Sequence, residues 1–257
     1  MSTKDGARRQ LTPSERRQRE LRRKRIQKKK RQRAIRLAVL AAMALLLLAL
    51  LVGAVVAIAK LSGGKEEEIK TSKIAASGNK YTIMLDAGHG GEDIGLSGEN
   101  LVEKEVTMAI VSKLKVMFEK YGYNVVLTRE EDVRMSKEDR VNAVNGSKAD
   151  LCVSVHLNYA DDPSKAGVET YYNAGSDEAA YLAKMVQESA VAETGAGNNG
   201  AYAGTFSIVK NTDIPSVLIE VGYFSNVQDA ANLTDDAYRN LMAKGIAKGV
   251  IRSLATP

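Results

Sequence analysis

Only two histidines occur in the chain of 257 residues, and both stand where they could do chemistry. His89 lies in LDAGHGG and His156 in SVHLN. Each follows a short apolar run that reads as a β-strand, the first and the third of the chain. Open α/β sheets bind ligands in the crevice beyond the carboxyl ends of their parallel strands. A lone histidine is more often a packed or surface residue, but an entire supply of two at that edge points to a shared site. Two carboxylates fall at the same level. Glu103 stands in the first turn of the first helical pattern, where a negative charge is favoured by the helix dipole. Glu220 ends the run VLIEV, where an acid is costly to bury unless it is paired or ligated. Capping and a salt bridge are the structural alternatives for these two residues.

Two imidazoles plus a carboxylate, with one position left open, make the protein ligand set of a catalytic zinc. The candidates would lie 14 and 53 residues apart along the chain, His89 to Glu103 to His156. No H-E-x-x-H pair is present, which excludes a helical two-histidine layout. The glycines around His89 allow close backbone approach and unusual dihedrals. A phosphate-binding loop is the rival reading of AGHGGEDIG, and it fails the G-x-x-x-x-G-K-[ST] pattern. A single cysteine, Cys152, excludes an intrachain disulfide framework and reads as a small core residue.

The elements that must position these groups alternate in type. Tyr81–Leu85, Val125–Thr128, Leu151–Val155, Val168–Tyr172, Phe206–Val209 and Val217–Val221 read as strands. Val106, Ile110, Leu114, Met117, Phe118 and Tyr121 recur at helical spacing, with Gly122 as the stop signal. Ser136-Lys-Glu-Asp139 reads as a capping-box start for a helix ending near Gly146. Ser176 opens a third helix, and Thr234-Asp-Asp begins the last. The first, second, third and sixth strands read as buried on both sides, which suits a mostly parallel sheet covered by helices. The expected fold is α/β: one domain, residues 80–257, with a mostly parallel sheet of about six strands flanked by helices.

What precedes that domain is different in kind. Residues 1–36 hold 16 Lys/Arg against 3 Asp/Glu, whereas residues 60–257 are net acidic at −7. The overall +6 therefore belongs to a basic tail, and nucleic-acid binding by the folded part is not expected. Residues 37–59 carry no charge and no proline. As a helix they would span roughly 34 Å, enough for a hydrocarbon core of about 30 Å. A secretory signal normally has a shorter apolar stretch, so a retained transmembrane anchor is expected. The clustered basic residues before it place the N-terminus in the cytoplasm and the domain outside it. Residues 60–79 read as a flexible linker.

The chain from Lys80 onward resembles the zinc-dependent N-acetylmuramoyl-L-alanine amidases, the amidase type 3 family of bacterial cell-wall hydrolases. The pieces that carry the resemblance are IMLDAGHGGEDIG, LVEKEVTMAI, VVLTREEDV, EDRVNAVN, ADLCVSVHLNYA, GVETYY and IPSVLIEVGYFSN, in that order. By position, the resemblance implies His89, Glu103 and His156 as ligands of one zinc ion and Glu220 as catalytic acid/base. The implied substrate is peptidoglycan, cut at the amide between the lactyl group of N-acetylmuramic acid and the L-Ala of the stem. A zinc peptidase acting within the stem, or a non-catalytic wall-associated relative, would share much of the pattern. Asn198-Asn199-Gly200 stands where the family usually has Asn-Arg-Gly, a difference bearing on the substrate rim and not on the metal. The sequence does not assign the groups that orient the imidazoles; Asp86 and Asn158 are candidates, with turn formation or surface exposure as the alternative.

Overall fold

The structure is a computed structural model that describes residues 81–98 and 100–255. The anchor expected at 37–59, the basic tail and the linker lie outside the described residues. Among those described, no helix is long and apolar enough to cross a membrane.

Six strands form one sheet in the order β2-β1-β3-β6-β4-β5. They are β1 (Thr82–Ala87), β2 (Asn124–Leu127), β3 (Leu151–Asn158), β4 (Val168–Tyr172), β5 (Asn198–Ala203) and β6 (Ser216–Tyr223). Strands β2, β1, β3 and β6 run parallel; β4 pairs antiparallel with β6, and β5 runs parallel to β4. The central strands β1, β3 and β6 are buried almost throughout, as their unbroken apolar runs require. Strand β2 is not: it is half-exposed at the sheet edge, because it has a neighbour on one side only.

The fifth strand corrects the sequence reading. Phe206–Val209 is not a strand; Ser207–Lys210 is a single helical turn that buries Ile208 and Val209. The strand is instead Asn198–Ala203, a polar, glycine-containing edge. An edge strand needs hydrogen bonds on one side and little apolar content, so it carries no alternation to read. Strand β3 also runs further than expected, so His156 lies within it and not just past its end, while Glu220 lies inside β6 as expected.

Helices α1 (Glu103–Lys120), α2 (Lys137–Asn145), α3 (Asp177–Thr194), α4 (Ser207–Lys210), α5 (Val227–Thr234) and α6 (Asp236–Ala255) complete the domain. The expected capping box is formed: the Asp139 N–H donates to Ser136 Oγ at 3.0 Å, and the Ser136 N–H returns to Asp139 Oδ2 at 3.3 Å. Ser176 caps α3 in the same manner, accepting from the Ala179 N–H. Helix α5 had no counterpart in the sequence reading; Asn226 caps it by accepting from the N–H groups of Gln228 and Asp229. Helix α1 buries Val106, Ile110, Leu114 and Phe118 in the main core, together with α3 and α6.

Helices α3 and α6 approach at backbone distance. A Cβ placed on Gly249 would lie 2.5 Å from Val186 Cα and 2.6 Å from the Met185 carbonyl oxygen. Alanine at this position gains about 1 kcal/mol of helix propensity. Overpacking against a rigid backbone costs about 1–3 kcal/mol, and no rotamer change relieves it. Gly249→Ala is therefore expected to lower stability by about 1 kcal/mol, read as a reduced midpoint in urea; an unchanged or raised midpoint would refute the close-packing account.

Candidate metal centre

The first ligand residue leaves β1 through a glycine-rich loop. His89 has φ +59°, a left-handed conformation that a residue with a side chain adopts only under constraint. The ring itself is held by a hydrogen bond within the loop. His89 Nδ1 lies 2.8 Å from Asp93 Oδ1, four residues on in the same loop. With that carboxylate accepting from Nδ1–H, Nε2 is left facing the site.

Glu103 enters from the first turn of α1 and is almost fully buried. Its Oε1 lies 3.2 Å from His89 Nε2 and 3.2 Å from His156 Nδ1, and it accepts the Leu157 N–H at 3.0 Å. Its Oε2 accepts the Leu96 N–H at 2.9 Å. Burial alone would raise the Glu103 pKa, but the hydrogen bonds to His156 and His89 outweigh it and hold the carboxyl well below the usual range. The same bond to Glu103 pushes the His89 imidazole up, against its burial. His156 comes from β3, and its ring stands at 75° to that of His89 with centroids 5.1 Å apart. A Cβ on Gly88 would lie 2.4 Å from His156 Cε1, so the imidazole packs in the space that the missing side chain leaves.

One ligand atom from each of His89, Glu103 and His156 falls within 4.8 Å of the others, close enough to hold a metal ion. The donor set is itself a test of fit. Two imidazole nitrogens converge on one carboxylate oxygen, and that carboxylate is fixed by two backbone N–H groups. Mixed nitrogen and oxygen donors of this kind suit a divalent transition metal.

Glu220 sits beside this cluster, because the parallel register sets it directly opposite His156. It is buried, and its Oε2 has no hydrogen-bond partner among the described residues. Burial pushes its pKa up to about 7; the negative charges of Glu103 and Glu169 add to the rise and the imidazoles oppose it. Glu169 is its cross-strand neighbour on β4 and accepts from Tyr171, Tyr223 and Asn158. His89, His156 and Glu220 face a common cavity of about 490 Å³, whose far wall includes Lys137, Phe206 and Ile208.

All four residues singled out from the sequence thus meet at one place. Neither candidate for orienting an imidazole is bonded to one. Asp86 accepts instead from Thr128, Arg140 and Ser154, each at 2.6 Å, and Asn158 donates to Glu169. Asp93 is the orienter that sequence reasoning missed; its one signal was a carboxylate four residues after His89 in a loop too glycine-rich for a helix. Arg129 and Arg140 were also passed over, since nothing in the chain marks an arginine for burial.

Residues 83–252, two thirds of the chain, match the Amidase_3 family, described as N-acetylmuramoyl-L-alanine amidase. The chain belongs to this family. It is 34% identical over 172 residues to the N-acetylmuramoyl-L-alanine amidase LytC of Bacillus subtilis, a match covering 66% of this chain and 35% of LytC. It is 35% identical over 179 residues to the endolysin of Bacillus phage SPP1, covering 67% of this chain and 65% of the endolysin. The match thus spans about a third and about two thirds of the length of these two relatives. Among solved structures, the N-acetylmuramoyl-L-alanine amidase of Clostridium difficile 630 superposes with a TM-score of 0.67 at 31% identity. That alignment covers 69% of this chain and 98% of the other.

Proposed function

We propose that this chain is a zinc-dependent N-acetylmuramoyl-L-alanine amidase of the bacterial cell wall. It would hydrolyse the amide joining the lactyl group of N-acetylmuramic acid to the L-Ala of the peptide stem. One observation carries the reading: the only two histidines of the chain and a buried glutamate converge within 4.8 Å, with a second buried glutamate beside them.

His89, Glu103 and His156 would hold one zinc ion. When bound, zinc lowers the pKa of its water toward roughly 7 and polarises a carbonyl oxygen. The remaining work falls to Glu220. Its unpartnered Oε2 is free to take a proton from the attacking water and to return it to the departing L-Ala nitrogen. A carboxyl whose pKa lies at about 7 is suited to both halves of that exchange at neutral pH. Asp93 keeps the His89 ring in the tautomer that presents Nε2. The cavity beside the cluster is large enough for part of a peptide stem, and it is open to solvent at Phe206.

Digestion of purified peptidoglycan followed by mass spectrometry tests the proposal. The amidase reading expects intact stems with a free L-Ala amine and glycan that has lost them. Cleavage between stem residues would instead identify a zinc peptidase. No product from zinc-loaded protein would leave a non-catalytic wall protein.

The apolar stretch 37–59 would anchor the enzyme in the cytoplasmic membrane, with the basic tail 1–36 inside and the catalytic domain 80–257 outside, where its substrate lies. No nucleic-acid partner is proposed. Protease treatment of intact spheroplasts should remove the domain and leave the tail; protection of the domain would reverse the orientation.

A further inference from the structure

Beside the metal centre lie two buried arginines, one of which, Arg140, also lines the cavity, and neither has a part in the chemistry above. Arg129 follows β2, and Arg140 lies on α2; they are only 4% and 7% exposed. Their hydrogen bonds converge on three consecutive carbonyls. Arg140 donates through Nη1 to the Ala87 oxygen at 2.8 Å and through Nη2 to the His89 oxygen at 2.6 Å. Arg129 donates through Nε to the same Ala87 oxygen at 3.1 Å and through Nη2 to the Gly88 oxygen at 3.2 Å. The same Nη2 also reaches the carbonyl of Lys104, the residue after Glu103, at 3.4 Å. One guanidinium therefore ties the main chain before the first histidine to the main chain after the glutamate. Asp86 holds Arg140 at 2.6 Å and is itself fixed by Thr128 and Ser154.

Electrostatics alone cannot account for this pair. Two guanidinium groups beside a site for a dication repel the cation, and burial together with the adjacent Arg140 already lowers the Arg129 pKa. Hydrogen-bond geometry can. Left-handed φ at His89 is costly on its own and persists only where the surroundings dictate it. Charge-assisted bonds to the carbonyls of Ala87, Gly88 and His89 dictate it. Lysine, a compact point charge, cannot span two carbonyls as a planar fork does.

We infer that Arg129 and Arg140 are positioning residues that clamp the Ala87–His89 main chain and so aim the His89 imidazole at the metal position before a metal arrives. The inference rests on the metal-centre reading. Groups that orient metal ligands typically contribute about 10–100-fold to metal affinity.

The test uses the full-length chain and three variants: Arg140→Lys, Arg129→Lys and Arg129→Gln. Zinc affinity is measured by competition with a chromogenic chelator, and the coordination geometry by the visible absorption of the cobalt-loaded protein. Each variant should bind zinc about 10–100-fold more weakly, with weakened or shifted cobalt bands and unchanged far-ultraviolet dichroism. Zinc affinity within twofold of the parent and an identical cobalt spectrum in all three would overturn the clamp. Tighter zinc binding by Arg129→Gln would overturn it too, because relief of charge repulsion would then dominate. Arg129 bonds only main-chain carbonyls, so its two variants decide the matter if Arg140→Lys does not fold. Failure of the parent itself to bind one zinc would remove the metal centre, and the clamp with it, which is a different result from a parent that binds and variants that match it.

Discussion

Glu220→Gln should bind one zinc as the parent does and lose about 10²–10⁴-fold in turnover, the usual contribution of a positioned acid/base. The amide keeps the shape of the side chain but can neither take nor give the proton. A second consequence has a definite sign. The folded-state pKa of Glu220 is raised to about 7, above an ordinary value of 4.5. Stability associated with the protonated carboxyl is then fully present below pH 4.5 and is lost as the pH rises through 7. In the metal-free protein, Glu220→Gln should therefore be more stable than the parent at pH 8, by an amount on the order of 3 kcal/mol, and equal to it at pH 4. Urea titrations at the two pH values measure this. Parental turnover in the variant would remove Glu220 from the chemistry; equal stability at pH 8 would mean that its carboxylate is better solvated than its burial implies.

His89→Ala and His156→Ala should lose both the metal and the activity, by more than the ~100-fold that loss of an outer orienting group costs. Each removal leaves Glu103 buried with one imidazole partner fewer, so the remaining pair no longer forms a three-donor set. Metal content after dialysis against limiting zinc separates this from the Glu220 result, since one variant keeps the ion and the others do not. Stoichiometric zinc in either histidine variant would count against the ligand assignment. Gly88→Ala offers a subtler check of the same geometry. It alters no ligand, yet its methyl group would occupy the space of the His156 ring, so weaker zinc binding is expected from displacement alone.

Much of this was legible in the chain. The burial pattern of β1, β3 and β6 follows from apolar runs that leave no solvent-facing alternative. Helix α1 follows from its apolar spacing, α2 from the capping box at Ser136, and α3 from apolar spacing together with the Ser176 cap. Asn198–Ala203 was hidden because an edge strand is specified mainly by hydrogen bonds to its neighbour β4, which composition does not record. Ser207–Lys210 was misread because four residues with β-branched members are too few for periodicity to separate a strand from a helical turn.

His89, Glu103, His156 and Glu220 stood out as chemical types in suspicious places, and local sequence was enough to put each at a strand or a helix start. Their convergence is a tertiary fact. It depends on β3 lying between β1 and β6, on the register that sets Glu220 opposite His156, and on α1 returning over the sheet to deliver Glu103. The roles of Asp93, Arg129 and Arg140 were likewise decided only in three dimensions. A hydrogen bond from a side chain to a distant carbonyl depends on where the backbone passes, and no spacing along the chain encodes that position.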